Sequence, residues 1–130
     1  MSSLSMGYTI SWNPLRFTDY TFNTVVTLLP KIIGHSKVHM RSWGFCVGED
    51  MENLVPFVRD GQQSPWEKTN REPCTKDAMK ALILMVEFGV TFNLRHDDTD
   101  MTWFLEALEE VHAKHPLVSY EQQKIYFTDL

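Results

Sequence analysis

Residues 90–115 read VTFNLRHDDTDMTWFLEALEEVHAKH and contain a strand-like run, a polar cluster and an amphipathic stretch, in that order. The run at 90–95 predicts a strand. The apolar side chains of the amphipathic stretch recur at helical spacing and predict one buried helix face: Met101, Phe104, Leu105, Leu108 and Val111. His115-Pro116 marks the end of this helix. A strand followed directly by an amphipathic helix is typical of a layered structure that mixes both element types.

The polar cluster between them consists of His96, Asp97, Asp98 and Asp100. Carboxylate oxygens suit Mg²⁺ or Ca²⁺, and an imidazole would extend the choice to transition metals. The same residues stand where a helix begins, and carboxylates there stabilise the helix dipole by roughly 0.3–1 kcal/mol each. The opposite helix end carries the side chains that a partial negative charge favours: His112, Lys114 and His115. We favour capping over a metal site or an acidic partner-binding loop, because both helix ends follow the same electrostatic rule.

The remaining elements are predicted from periodicity and from helix start and stop signals. In chain order they are a strand at 8–12, a helix from the cap Thr18 to Gly34, a strand over 37–47 bent near Gly44, a short helix within 50–59, a helix from the cap Thr75 to Gly89, and a last strand at 124–127. We place the helix that ends at Gly89 in the middle of the domain, because it is apolar nearly all round.

This order, β-α-β-(α)-α-β-α-β, predicts a mixed α+β or α/β fold. Residues 1–130 are expected to form a single layered domain, in which a sheet of about four strands is packed by three main helices. The predicted flexible N-terminus covers residues 1–7. Residues 60–73 are predicted to form a long irregular loop, a feature that in compact domains is often functional.

Composition restricts the class of function. The chain is 43% hydrophobic and 22% charged, as is usual for a globular protein. No run approaches the ~18 consecutive apolar residues of a membrane helix, so no membrane association is predicted. No secretory signal is recognisable, and the two cysteines are expected to be reduced thiols, which favours the cytoplasm.

The net charge of −5 is distributed unevenly. Residues 1–48 have four basic and one acidic side chains, whereas residues 49–130 have eight basic and sixteen acidic ones. Nucleic acid binding needs clustered Lys and Arg, and no such cluster is present, so no nucleic-acid partner is expected. An acidic surface that meets a basic protein partner fits this charge balance.

Signals for catalysis are weak. Cys46 with His39 as its base would need a lowered thiol pKa, whereas the apolar neighbours Phe45 and Val47 would raise it. No sequence pattern for a serine hydrolase, a zinc protease or a phosphate-binding loop is present, and no cofactor is predicted.

The sequence therefore favours a non-catalytic protein-binding or inhibitory module of acidic character, which could neutralise a basic toxin or nuclease. The predicted partner-binding residues are Glu49, Asp50, Glu52 and Trp66, because acidic side chains steer a basic partner and tryptophan often dominates binding energy. A domain whose interface serves only self-association, as a homodimer, is an alternative. A second alternative is a small metal-dependent hydrolase or transferase that uses the cluster at 96–100.

Overall fold

The computed structural model describes residues 9–12, 18–49, 54–59, 66–68, 73–89, 94–96, 102–116, 118, 123 and 127–129. They form three α-helices, seven short strands and one 3-10 turn. In chain order these are β1 (Thr9–Trp12), α1 (Asp19–Ile33), the 3-10 turn (His35–Lys37), β2 (Val38–Arg41), β3 (Gly44–Val47), β4 (Val55–Val58), β5 (Trp66–Lys68), α2 (Pro73–Glu87), β6 (Leu94–His96), α3 (Thr102–Lys114) and β7 (Phe127–Asp129). The prediction of a mixed α+β fold with three main helices is confirmed.

The strands form two sheets, whereas a single sheet was predicted. One sheet has the order β5-β1-β6-β7, with β6 and β7 parallel and the other pairs antiparallel. The other is antiparallel and has the order β2-β3-β4. The predicted element order therefore requires correction, because three strands lie between α1 and α2 in addition to β2.

The segment 37–47 forms a hairpin and not the predicted bent strand. Residues 42 and 43 make the turn, and β2 and β3 pair from Val38↔Val47 to Arg41↔Gly44. Gly44 has a positive φ of 154°, and a Cβ at this position would overlap the carbonyl oxygen of Phe57 in β4. Glycine is required here because β4 approaches the hairpin so closely.

The short helix predicted within 50–59 is also wrong, because residues 55–58 form β4. Val55 and Phe57 are buried while Pro56 and Val58 are partly exposed, which is the two-residue alternation of a strand. Pro56 is accommodated because β4 is an outer strand of its sheet. The segment 60–73, predicted to be an irregular loop, contains β5 and the first residue of α2.

The hydrophobic core lies where the three helices pack against one another and against the β2-β3-β4 sheet. Phe45 and Phe57 stack with ring centroids 5.2 Å apart, and the Phe22 ring meets Phe45 edge-on at 6.1 Å. The prediction that α2 is central is confirmed, since its side chains from Ala81 to Met85 are fully buried. Leu105 was predicted to be a core residue and is 38% exposed. No helix in the described part of the chain is long and apolar enough to span a membrane.

Candidate binding site

Helix α2 buries two charged side chains within its otherwise apolar surroundings. Asp77 is 4% exposed and Lys80 is 9% exposed. Residues three apart on a helix are neighbours on its surface, so the carboxylate and the ammonium group share one face. Charged side chains are rarely this buried unless they are paired. This face of α2 therefore contains two buried charged side chains, and their partners decide what the site can do.

Two ion pairs connect this face of α2 to α3. Lys76 Nζ lies 2.7 Å from Glu106 Oε2, and Lys80 Nζ lies 2.9 Å from Glu110 Oε2. Each lysine and each glutamate is four residues from the next, so the two pairs form successive rungs between the helices. The Lys80 side chain is 11% exposed, whereas both glutamates are about half exposed. The pairs therefore hold two partly exposed carboxylates in defined positions.

Asp77 lacks an equivalent partner. Its Oδ2 atom is buried and accepts no hydrogen bond from the described residues. Burial raises the pKa of the Asp77 carboxyl group, Lys37 and Lys80 lower it, and Glu110 and Glu49 raise it further. Asp77 and the four charged residues that affect its pKa, Lys37, Glu49, Lys80 and Glu110, are called the Asp77 cluster. The cluster contains three carboxyl groups and two ammonium groups.

An open groove of about 310 Å³ lies beside the cluster, between α2 and α3. Its lining residues are Lys76, Glu106, Glu109, Glu110 and Ala113. Glu110 lines the groove and also affects the pKa of Asp77, whereas Asp77 itself is buried and does not line the groove. The groove exposes three glutamates against one lysine and is therefore acidic.

Of the four predicted partner-binding residues, the structure describes Glu49 and Trp66. Glu49 is exposed, follows the end of β3 and belongs to the Asp77 cluster. Asp50 and Glu52 lie outside the described residues. Trp66 begins β5, so it belongs to the four-stranded sheet, whereas Glu49 follows a strand of the other sheet. Whether the four residues share one surface stays a prediction.

The predicted choice between helix cap and metal site also stays open. His96 is the last residue of β6 and is in register with Asp129 of β7, while Asp97, Asp98 and Asp100 lie outside the described residues. Helix α3 begins at Thr102, with no acidic residue in its first turn. Within the described ranges, no group of three or more His, Cys, Asp or Glu side chains could hold a metal ion.

The geometry around Cys46 does not favour a nucleophile. Both cysteines are free and buried, and burial raises the pKa of the Cys46 thiol more than Arg41 lowers it. His39 is the cross-strand partner of Cys46, but its Nε2 lies 3.0 Å from the carbonyl oxygen of Gly48. Because a carbonyl oxygen only accepts, Nε2 carries a proton and donates to it. The ring is therefore held by a structural hydrogen bond.

Sequence reasoning missed Asp77, although a signal was present. The stretch KDAMKALILMVE predicts a buried helix, and a carboxylate within a buried helix is destabilising unless it is paired or hydrogen-bonded. Asp77 is the residue at which that question arises. Helix α2 has two acidic residues, and Asp77 is the one that lies within its buried part, whereas Glu87 is partly exposed at its end.

Comparisons of the chain with protein-family models, curated proteins and solved structures found no match in any of the three. What the site can bind is therefore inferred from its own residues.

Proposed function

We propose that this protein is a non-catalytic binding module that recognises a basic protein partner through an acidic surface and neutralises it. The observation that carries the proposal is the groove between α2 and α3, where Glu106, Glu109 and Glu110 face solvent together. The exposed Glu49, a member of the Asp77 cluster, is a fourth exposed carboxylate in the proposed interface. Residues 49–130, which contain all four, have twice as many acidic as basic side chains.

The two ion pairs between α2 and α3 support binding more than they support stability. Partly exposed pairs contribute only about 0–1 kcal/mol to folding. They do fix Glu106 and Glu110 in place, so a partner does not have to order these side chains when it binds. Glu109 makes no ion pair with another described residue and can accept a partner's cation directly. Such a surface increases the association rate with a basic protein, and salt weakens the effect.

Asp50, Glu52 and Trp66 remain part of the proposed interface on sequence grounds. Carboxylates next to Glu49 would extend the acidic surface, and a tryptophan would supply apolar contact area. Two free, buried cysteines suit a reducing compartment, and we include a cytoplasmic location in the proposal.

The first experiment measures binding of fluorescent hexa-arginine and hexa-glutamate peptides by anisotropy at about 50 mM and about 200 mM salt. We expect binding of the arginine peptide alone, weaker at the higher salt. Glu109→Gln should weaken binding about two- to five-fold, as expected for one exposed charge. Asp19→Asn is the control for net charge, because it removes one exposed carboxylate at the start of α1, although that carboxylate, unlike Glu109, pairs with Arg59.

Three results would contradict the proposal: no binding of hexa-arginine, equal binding of both peptides, or equal effects of Glu109→Gln and Asp19→Asn. The last of these would show that net charge acts without a defined site. A melting temperature that rises with Mn²⁺ or Mg²⁺ would instead favour the metal-dependent alternative at residues 96–100.

A further inference from the structure

Strand β2 is an outer strand of the three-stranded sheet, and no strand in the described part of the chain pairs with its free side. The other outer strand, β4, contains Pro56, which has no N–H group to offer to a further strand. An outer strand with free backbone groups is a template on which another extended segment can pair. Of the two edges of this sheet, β2 is therefore the better template.

The register of the β2-β3 hairpin shows which backbone groups of β2 point to the free side. The Gly48 amide donates to the Lys37 carbonyl oxygen at 3.0 Å, so the backbone of Lys37 bonds toward β3. Because the direction of bonding alternates along an antiparallel pair, Val38 and Met40 direct their backbone groups away from β3. The Val38 amide is already used, since it donates to the His35 carbonyl oxygen. The groups that remain for a new strand are the Val38 carbonyl and the amide and carbonyl of Met40.

The Met40 carbonyl oxygen accepts a hydrogen bond from its neighbour, with Arg41 Nη1 at 3.0 Å. This contact shows that a donor can reach the carbonyl group from the free side. The Arg41 side chain is exposed, and exposed side chains change rotamer within picoseconds to nanoseconds, so it can give way to another donor. An antiparallel segment can then make two backbone hydrogen bonds with Met40 and one with the Val38 carbonyl.

The side chains along this edge combine apolar and basic character. Met40 lies opposite Phe45 and is 51% exposed, so an apolar side chain stands at the free side of the buried Phe45. Arg41 is exposed at one end of β2, and Lys37 directly precedes the other end. Residues 35–48 contain no acidic side chain that would balance these two charges. A segment with an apolar residue at its centre and acidic residues beside it complements this edge.

The same charges argue against a second copy of this chain as the occupant. Two β2 strands paired antiparallel would bring the Arg41 end of each copy to the Lys37 end of the other. Like charges in neighbouring strands are destabilising, and basic residues on an outer strand prevent such self-pairing. An acidic segment meets no such repulsion.

We propose that β2 binds an extended segment of a protein partner in which acidic and apolar residues alternate, and that this segment adds a fourth, antiparallel strand to the sheet. An apolar side chain of the segment lies opposite Met40, and acidic side chains lie beside Arg41 and Lys37. The backbone bonds supply affinity for extended segments in general, and the two charges select the acidic ones. The inference goes beyond the proposed function, because it uses none of the residues that line the acidic groove.

The test measures anisotropy of fluorescent peptides in which valine alternates with glutamate or, as the comparison, with lysine. We expect the glutamate peptide to bind and the lysine peptide not to bind. Methylating the backbone nitrogens of the valines should weaken binding at least about ten-fold, because it removes the donors to the Val38 and Met40 carbonyl oxygens.

Two charge reversals examine the role of Arg41. Arg41→Glu should weaken binding of the glutamate peptide about five-fold, as expected for one exposed charge. Lys114→Glu is the control, because Lys114 is exposed at the end of α3 and its reversal changes the net charge equally. It should leave the affinity almost unchanged, and circular dichroism melts establish that both variants are folded.

Amide hydrogen exchange measured by NMR reports on the edge in the wild-type protein. Without peptide, the Met40 amide should exchange faster than the amides of His39 and Arg41, which bond to β3. Saturating glutamate peptide should slow exchange at Met40 and leave it unchanged at Tyr20, in the first turn of α1.

Four results would overturn the inference: no binding of the glutamate peptide, equal binding of both peptides, no effect of valine methylation, or equal effects of the two charge reversals. Exchange at Met40 that does not slow with bound peptide would place the peptide elsewhere and would also overturn it. A dimer of the protein alone, with the Met40 amide already protected, would show that a second copy covers β2 and would exclude the acidic segment.

Discussion

The Thr21 hydroxyl donates a 2.8 Å hydrogen bond to the carbonyl oxygen of Phe88, which lies 67 residues further along the chain. Thr21 is in the first turn of α1, and Phe88 directly follows the last residue of α2. The bond therefore satisfies a carbonyl group at the end of α2 with a side chain from the start of α1. Thr18 caps α1 at the same place, since its Oγ1 accepts from the Thr21 amide at 3.1 Å. One short segment thus fixes both the start of a helix and its docking on α2.

Thr21→Val should lower the free energy of unfolding by about 1–3 kcal/mol. Valine has the same shape but cannot donate, so the Phe88 carbonyl would lose this bond in a partly buried position. Thr24→Val is the control, because the Thr24 hydroxyl is exposed and donates to the Tyr20 carbonyl of its own helix. That change should stay within about 0.5 kcal/mol. Urea denaturation measures both, and equal losses would show that the bond between α1 and α2 contributes nothing specific.

Gly44→Ala should destabilise the protein severely, by more than about 4 kcal/mol. The new Cβ would overlap the Phe57 carbonyl oxygen and lie near the Arg59 amide, so β3 and β4 would have to separate. Gly34→Ala provides a comparison, since Gly34 also has a positive φ but no atom lies within 4 Å of its added Cβ. Backbone strain alone should cost about 1–3 kcal/mol there. Thermal melts of the two variants separate the effects, and similar melting temperatures would mean that the strands adjust without cost.

The helices could be predicted from the sequence better than the strands. Thr18 and Gly34 bound α1 as expected, because cap signals and the apolar stripe act locally. The hairpin at β2-β3 was missed because Ser42 and Trp43 lack the asparagine-glycine or aspartate-glycine signal of a two-residue turn. Residues 55–58 were missed because a proline next to a valine does not suggest a strand. An outer strand tolerates that proline, but only the tertiary structure shows that this strand is outermost.

Leu82→Ala should cost about 2–5 kcal/mol, whereas Leu105→Ala should cost less than about 1 kcal/mol. Leu82 is fully buried, while Leu105 lies at the solvent-facing edge of the α3 stripe. The sequence pattern predicts that both leucines are buried. The spacing of apolar residues shows that a helix has an apolar stripe, but it does not show how wide the buried part of that stripe is. Chemical denaturation of the two variants checks the assignment, and a large loss for Leu105→Ala would place that residue in the core after all.

The candidate site illustrates a different limit of sequence reasoning. The acidic character of residues 49–130 is visible in the sequence, and Glu49 was singled out from it. The effect of Glu49 on the pKa of Asp77 depends on where the base of the β2-β3 hairpin lies relative to α2, and no local pattern encodes that arrangement. The groove likewise depends on the two rungs between α2 and α3, whose partners are 30 residues apart in the chain.

Asp77→Asn should stabilise the unliganded protein at pH 7, by an amount of the order of 1 kcal/mol. Burial raises the folded-state pKa of Asp77 above its unfolded value. The folded state therefore favours the protonated carboxyl group, and this stabilisation is complete below the unfolded pKa, about 4, and is lost as the pH rises through the folded pKa. Asparagine does not ionise, so the advantage of Asp77→Asn should grow from about pH 4 to pH 7. Urea denaturation of the variant and the wild-type protein at both pH values measures the difference, with Asp19→Asn as the exposed control. If Asp77→Asn were less stable than the wild-type protein at pH 7, the carboxylate would be satisfied within the fold and would not be a source of instability.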